Sequence, residues 1–255
     1  MSIGLLPVAL VLLALLAFMV RTALYGRPRS ARVVKQGGTV LISEYAMEYA
    51  YWLTTPIVAA CVRWQVHPDV LSWTSLALHL AGAWFIAQGN WIVGGWLLVG
   101  GALCDLLDGA VARARQLASD AGETLDAAID RVAEMAIFFA YAWYYRQDPF
   151  GFVLAAAACM GAVMVSYSRA KGESFGIDAK MGLMQRHERA AYLAAATILS
   201  PLLEQFHSNG GGALPRHGLL LATLGLVAVM SNITGIQRIA FIRKELRSRG
   251  GTQRR

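Results

Sequence analysis

The sequence predicts an all-α polytopic membrane protein, and three observations lead to this fold class. Apolar residues (AVILMFWYC) make up 56% of the 255 residues. Charged residues make up only 15%, whereas a soluble domain usually carries about 25%. Seven apolar runs approach the roughly 20 residues that an α-helix needs to cross a bilayer. The composition therefore argues against a soluble globule, a disordered chain and a collagen-like chain.

The first apolar run is Ile3–Val20. Its basic residues follow the apolar stretch instead of preceding it, which favours an uncleaved anchor over a secretory signal. We therefore assign residues 1–21 to an N-terminal transmembrane anchor and residues 22–43 to a basic linker.

Residues 44–66 are an element of a different kind. Apolar and aromatic side chains are mixed there with Glu44 and Glu48, and Trp52 and Trp64 lie towards the ends. Because Trp favours the headgroup level of a bilayer, we predict an amphipathic helix that lies in the interface. A short, tilted crossing is the alternative.

The other six apolar runs predict a six-helix transmembrane core, placed at residues 67–245 and followed by a basic tail at residues 246–255. The runs are Val70–Ala87, Trp91–Ala112, Leu125–Tyr145, Phe150–Ser168, Ala190–Phe206 and Gly218–Ile242. If they alternate in direction, nearly all the loop Arg and Lys residues fall on one side, which the positive-inside rule puts in the cytoplasm. The net charge of +7 is thus not assigned to nucleic-acid binding; part of it reflects topology, and part belongs to a phosphate pocket considered with the acceptor.

Four aspartates lie in or at the edge of the second and third core spans. Asp105 and Asp108 are three residues apart and Asp126 and Asp130 four, so each pair shares one helix face. The segment 114–123 between the two spans is short enough to make them antiparallel neighbours. At the bilayer centre each aspartate would cost about 2.5–3.5 kcal/mol, so we expect something to compensate them.

Convergent carboxylates either share protons or bind cations. An all-oxygen site suits Mg²⁺, Mn²⁺ or Ca²⁺, and pairs of such ions support phosphoryl chemistry. Two alternatives remain: the acids pair with basic neighbours, or they mark the ion pathway of a transporter. Glu134, one turn beyond Asp130, can pair with Arg131 or shape the site, and the sequence leaves both open.

The pattern Asp105-x2-Asp108-Gly109-x2-Ala112-Arg113-x8-Gly122-x3-Asp126-x3-Asp130 resembles the signature of the CDP-alcohol phosphotransferases. The resemblance covers about residues 44–245. It implies an enzyme that moves a phosphatidyl group from CDP-diacylglycerol, or a similar CDP-lipid, to an alcohol hydroxyl and releases CMP. It further implies two Mg²⁺ or Mn²⁺ ions, a homodimer, and an active site at the cytoplasmic face of a bacterial or archaeal-type membrane.

The resemblance also implies roles for individual residues. The metal ligands would be Asp105, Asp108, Asp126 and Asp130, and Asp130 is preferred as the base that takes the acceptor's proton. The nucleotide and CDP-lipid site would use Asp108, Gly109, Ala112, Arg113 and Gly122. Asp69 and Ser72 would join it, because Pro68-Asp69-x2-Ser72 resembles the family's Pro-Asn-x2-Thr with two departures.

Three short pieces bear on the acceptor alcohol. SYxRAxxE from Ser166, the pair Glu188-Arg189, and ITGIQR ending at Arg238 are similar to the phosphatidylinositol phosphate synthase branch. There a pocket of Ser166, Arg169, Arg189 and Arg238 would hold the phosphate of inositol phosphate, since Arg suits bidentate phosphate binding. Glycerol 3-phosphate is the close alternative, and serine or another unphosphorylated alcohol a more distant one.

Overall fold

The computed structural model describes residues 2–26, 44–179, 181–208 and 217–250, and within them all regular secondary structure is helical. The predicted all-α fold is thus confirmed for this part of the chain. Eight helices follow one another there: α1 (Ser2–Tyr25), α2 (Glu44–Arg63), α3 (Pro68–Ala87), α4 (Trp91–Ala114), α5 (Asp120–Tyr144), α6 (Pro149–Glu173), α7 (Arg186–Ser208) and α8 (Gly218–Ser248).

Four of these helices, α3, α4, α6 and α8, are long and apolar enough to cross a membrane. The chain is therefore a polytopic membrane protein. Helices α5 and α7 coincide with the predicted spans Leu125–Tyr145 and Ala190–Phe206, but each begins with several charged residues. Those charges lower the hydropathy of both helices, and two acids of α5, Asp130 and Glu134, pair with arginines of α7.

The helix ends follow from local chemistry. Helix α3 begins at Pro68, and proline at the first position of a helix sacrifices no hydrogen bond. Asp148 caps α6 by accepting a hydrogen bond from the backbone N–H of Phe150 at 3.1 Å. Helix α7 starts four residues before the predicted span, because the Glu188 carboxylate accepts a hydrogen bond from the backbone N–H of Gln185 at 2.6 Å.

The chain divides into two compact units, of which the first comprises residues 1–77 and 100–129. In this unit the side chain of Phe18 on α1 is fully buried against α2. Its ring centroid lies 5.1, 5.5 and 5.4 Å from those of Tyr45, Tyr49 and Trp52, respectively. Helix α1 continues to Tyr25, and most of the predicted basic linker lies outside the described residues.

Polar bonds within the first unit also join α3 to the second half of α4. The Ser75 hydroxyl donates to the carbonyl of Gly101 at 2.9 Å. Beyond the end of α4, Nη1 of Arg115 donates to the carbonyls of Gln65 and Val66, at 2.9 and 2.6 Å. The turn before α3 is thereby held against the end of the helix that carries Asp105 and Asp108.

The second unit comprises residues 78–99 and 130–255. Helices α6 and α8 approach each other closely at Gly161: a Cβ atom added there would lie only 2.7 Å from Nδ2 of Asn232. That nitrogen donates to the carbonyl of Ala157 at 2.9 Å. Helices α5 and α7 are joined by the hydroxyls of Tyr141 and Thr197, 2.6 Å apart and both buried. These contacts hold the helices that carry the predicted acceptor residues.

Candidate active site

Three of the four predicted metal ligands converge in the first unit. Asp105 and Asp108 extend from α4 and Asp126 from α5, and one ligand atom from each lies within 4.8 Å of the other two. Asp108 is buried, and the other two are half-buried. We call these three residues the acidic triad. Because three carboxylates at this distance repel one another, a hard divalent cation fits the arrangement well.

Asp108 is held in a defined orientation. The Ser72 hydroxyl donates to its Oδ2 at 2.7 Å, and the backbone N–H of Gly109 donates to its Oδ1. A carboxylate has about four lone-pair sites, so two hydrogen bonds leave it free to ligate a cation as well. Ser72 was predicted as a nucleotide-binding residue, and the structure shows it in contact with a predicted metal ligand.

The remaining predicted nucleotide-binding residues also belong to the first unit. A Cβ atom on Gly109 would lie 3.1 Å from Nη1 of Arg113, so glycine leaves room for this exposed guanidinium. Near the start of α3, Oδ2 of Asp69 lies 3.5 Å from Nδ1 of His67. Two further residues are half-buried: Ala112 and Gly122.

Asp130 follows Asp126 by one turn of α5 and belongs to the second unit. Its carboxylate forms an ion pair with Arg186 of α7, and it is only 7% exposed. Its roles as a metal ligand and as a base stay predictions. The contact with Arg186 was not predicted.

One turn further along α5, Glu134 forms a second ion pair with α7. Its Oε1 accepts hydrogen bonds from Nε and Nη2 of Arg189, at 3.0 and 2.7 Å. The side chain of Arg189 is completely buried. We call the pairs Asp130–Arg186 and Glu134–Arg189 the α5–α7 ladder. The spacings, four residues on α5 and three on α7, were visible in the sequence, but nothing in the sequence indicated that these two helix faces meet.

The predicted acceptor residues form a basic cluster in the second unit, which we define as Arg169, Arg189 and Arg238. Arg238 is 3% exposed and donates through Nε to the carbonyl of Met181 at 2.7 Å and through Nη1 to that of Val165 at 2.9 Å. Both other arginines lie within electrostatic range of it.

Two of the predicted acceptor residues, Ser166 and Arg169, lie on α6. Ser166 is buried and directly follows Val165, whose carbonyl Arg238 binds. Arg169 is exposed, and its Nε donates to Glu173 at 2.9 Å. The cluster thus combines two buried arginines with one exposed arginine, each in a defined contact.

The sequence matches one protein-family model over residues 65–233: CDP-alcohol phosphatidyltransferase. This match covers more than half of the chain, and the chain belongs to this family. It is therefore a membrane-bound transferase of phospholipid synthesis, as the aspartate pattern implied.

Curated relatives point to one branch of the family. A phosphatidylinositol phosphate synthase from Streptomyces avermitilis is 33% identical over 213 residues, covering 82% of this chain and 85% of the relative. One from Mycobacteroides abscessus is 31% identical and covers 75% and 84%. An archaetidylinositol phosphate synthase from Methanothermobacter thermautotrophicus is 27% identical and covers 70% and 84%.

Solved structures agree with these relatives. The phosphatidylinositol phosphate synthase of Mycobacterium tuberculosis with CDP-DAG bound superposes with a TM-score of 0.63 at 27% identity, covering 74% of this chain and 92% of that one. The same protein in complex with manganese and citrate superposes with a TM-score of 0.64 and covers 74% and 88%.

Proposed function

We propose that this protein transfers the phosphatidyl group of CDP-diacylglycerol, or of a similar CDP-lipid, to a hydroxyl of inositol phosphate and releases CMP. The observation that carries this proposal is the basic cluster. Arg169 and Arg189 both lie within electrostatic range of Arg238, and such a group of arginines suits a phosphate dianion better than an uncharged alcohol. The names of the relatives, phosphatidylinositol phosphate synthases from several bacteria, support the same acceptor.

The acidic triad fits a metal centre. We infer that Asp105, Asp108 and Asp126, with Asp130 as a further ligand, hold two Mg²⁺ or Mn²⁺ ions. When bound, such ions offset the charge of the pyrophosphate and stabilise the leaving CMP. The convergent carboxylate oxygens support this inference, as does the related structure that contains manganese.

The donor would be held by residues of the first unit. Arg113 faces a phosphate in this proposal, and Gly109 keeps space for its guanidinium. The further nucleotide-binding residues are proposed to be Asp69, Ser72, Asp108, Ala112 and Gly122. A related structure with CDP-DAG bound supports the choice of donor.

Asp130 is proposed as the general base. The acceptor's hydroxyl oxygen bonds to the lipid phosphorus, the P–O bond to CMP breaks, and the hydroxyl proton passes to the Asp130 carboxylate. Asp130→Asn should keep the folded protein but lower kcat by roughly 100-fold or more, because general bases contribute about 10²–10⁴. A wild-type rate for the purified variant would disprove this assignment.

The membrane arrangement is proposed on the same basis. Helices α3–α8 would form the six-span core, α2 would lie in the interface and α1 would be the anchor. The active site would face the cytoplasm of a bacterial or archaeal-type cell, and the protein would form a homodimer. Single cysteines introduced at exposed Arg146 and Arg249 should react with an impermeant thiol reagent from opposite sides of sealed vesicles, and labelling from one side would contradict the six spans.

The identity of the acceptor is tested by supplying the candidate alcohols one at a time. Purified protein, CDP-diacylglycerol and Mg²⁺ are supplied with inositol phosphate, glycerol 3-phosphate, inositol or serine, and CMP release is measured. We expect the highest kcat/KM with inositol phosphate. A preference for glycerol 3-phosphate would keep the phosphate site but change the acceptor. A preference for inositol or serine would overturn the phosphate site, and no CMP with any acceptor would favour a transporter.

A further inference from the structure

Glu134 is a half-buried acid, with its side chain 14% exposed, that the proposed reaction does not use. Its Oε1 accepts two hydrogen bonds from one edge of the Arg189 guanidinium, the edge formed by Nε and Nη2. A guanidinium is planar and rigid, so a carboxylate on one edge fixes the direction of the third nitrogen as well. Glu134 thereby determines where Nη1 of Arg189 points.

Nη1 of Arg189 is itself unusual. It is buried, and it makes no hydrogen bond to any residue that the structure describes. Most buried polar atoms in proteins have a partner, and the exceptions call for an explanation. A ligand that supplies an oxygen atom would complete the hydrogen bonding of this guanidinium.

The surroundings of Arg189 indicate the chemistry of that ligand. Arg238 lies within electrostatic range of it, and so does Arg131 of α5. Cationic neighbours favour an anionic oxygen over a neutral one. A phosphate monoester, with two negative charges and three terminal oxygens, satisfies this environment.

We propose that Glu134 is a positioning residue for the acceptor: it orients Arg189 so that Nη1 binds the acceptor's phosphate. This inference rests on the proposed function, because it takes the phosphorylated alcohol as the ligand of the basic cluster. Glu134 touches neither the substrate nor the reacting atoms, and it acts through Arg189.

Two substitutions of Glu134 separate orientation from charge. Glu134→Gln keeps an oxygen at the same position but removes the negative charge, whereas Glu134→Asp keeps the charge but withdraws the oxygen by one methylene. Orientation predicts that Glu134→Asp raises the KM for inositol phosphate by about 10-fold and Glu134→Gln by less than about 3-fold. In both variants kcat and the KM for CDP-diacylglycerol should change by less than about 2-fold. The reverse order of the two variants would overturn the inference.

A double-mutant cycle tests whether Glu134 acts through Arg189. Arg189→Lys removes the planar edge and should raise the KM for inositol phosphate. Adding Glu134→Asp should then raise it by less than about 2-fold, because residues that act as one unit are not additive. Additive effects would overturn the inference and leave the proposed function intact. An unchanged acceptor KM in Arg189→Lys alone would overturn both.

Glu245→Gln is the matched control. It removes the same charge from an ion pair with Arg249, but that pair is exposed on the last turns of α8. Its acceptor KM should equal that of the wild type. Size-exclusion profiles and thermal unfolding in detergent identify any variant that is misfolded. The kinetics of Glu134→Asp and Glu134→Gln are then compared at a temperature at which both variants remain folded. If Glu245→Gln raised the acceptor KM as much as Glu134→Gln did, a general loss of acidic charge would explain the effect of Glu134→Gln, and the positioning role would be overturned.

Discussion

The acidic triad and the basic cluster are built in opposite ways. The triad brings three like charges from two consecutive helices to within 4.8 Å, and the contacts of Asp108 with Ser72 and Gly109 leave lone pairs available. The basic cluster collects arginines from three helices, and each guanidinium is engaged by carbonyl or carboxylate oxygens. The triad suits a small cation that it must surround, whereas the cluster suits an anion that it must orient.

This contrast has an energetic reason. Carboxylates that converge in a half-buried site are unfavourable until a cation compensates them, so their function is tied to the bound ion. A buried arginine needs hydrogen-bond partners from the protein before any ligand arrives. The residues that hold the arginines of the basic cluster should therefore affect acceptor binding as the arginines themselves do. Substitutions in the acidic triad and in the basic cluster test this contrast, from the largest expected effect to the smallest.

Asp108→Asn should have the largest effect. It removes the most buried charge of the triad, and bound metal ions supply several kcal/mol of transition-state stabilisation, so kcat should fall by roughly 1,000-fold. CMP release measures activity, and titration with Mn²⁺ measures metal affinity. The control is Asp120→Asn, an exposed acid on the first turn of α5 that lies outside the triad. Unchanged metal affinity in Asp108→Asn would separate this aspartate from the metal centre.

Arg238→Ala should come next. It removes a buried charge together with the hydrogen bonds to Met181 and Val165. In the proposed function Arg238 also binds the acceptor's phosphate, and a hydrogen bond to a charged group contributes about 1.5–3 kcal/mol. The KM for inositol phosphate should therefore rise by about 10- to 100-fold, and the KM for the donor much less. Steady-state kinetics with each substrate varied in turn gives both values. Equal changes in the two would assign Arg238 a structural role only.

Ser72→Ala should have a smaller effect on the triad. It removes one hydrogen bond to Asp108, but the bond from Gly109 remains. We expect the Mn²⁺ concentration for half-maximal activity to rise by about 3- to 10-fold. Thr74→Ala is the control, because Thr74 is exposed on the same helix and bonds only the carbonyl of Val70 within the described contacts. Equal metal requirements in both variants would contradict the role of Ser72 in orienting Asp108.

Glu173→Gln should have the smallest effect. Its partner Arg169 belongs to the basic cluster, but the two side chains are 49% and 52% exposed. Exposed ion pairs contribute about 0.2–1 kcal/mol, so the acceptor KM should change by less than about 3-fold. A larger change, measured in the same kinetic assay, would show that exposed and buried arginines of the cluster depend on their acids equally.

Much of the fold and part of the site could be predicted from the sequence. Seven of the eight described helices lie close to the seven predicted apolar runs, and α2 lies within the predicted interfacial segment 44–66, because hydropathy and helix-terminating residues are local properties. The triad was predictable because Asp105 and Asp108 share a helix face and a short connection leads to Asp126. The pairing of Glu134 was not predictable, since Arg131 was equally available by sequence and only the packing of α5 on α7 brings Arg189 to it.

The sequence by itself predicted the membrane protein that the described residues show to be helical, and it predicted the convergence of Asp105, Asp108 and Asp126, because helix periodicity and spacing over a few turns encode both. Only the tertiary structure decided which acid pairs with which arginine. It also decided that Arg238 donates to backbone carbonyls and that Ser72 donates a hydrogen bond to Asp108. Those contacts join residues distant in the chain, and their geometry depends on how neighbouring helices pack. The physical reason is that the spacing of residues along one helix determines which side chains share a face. Tertiary packing determines which face of a neighbouring helix those side chains contact.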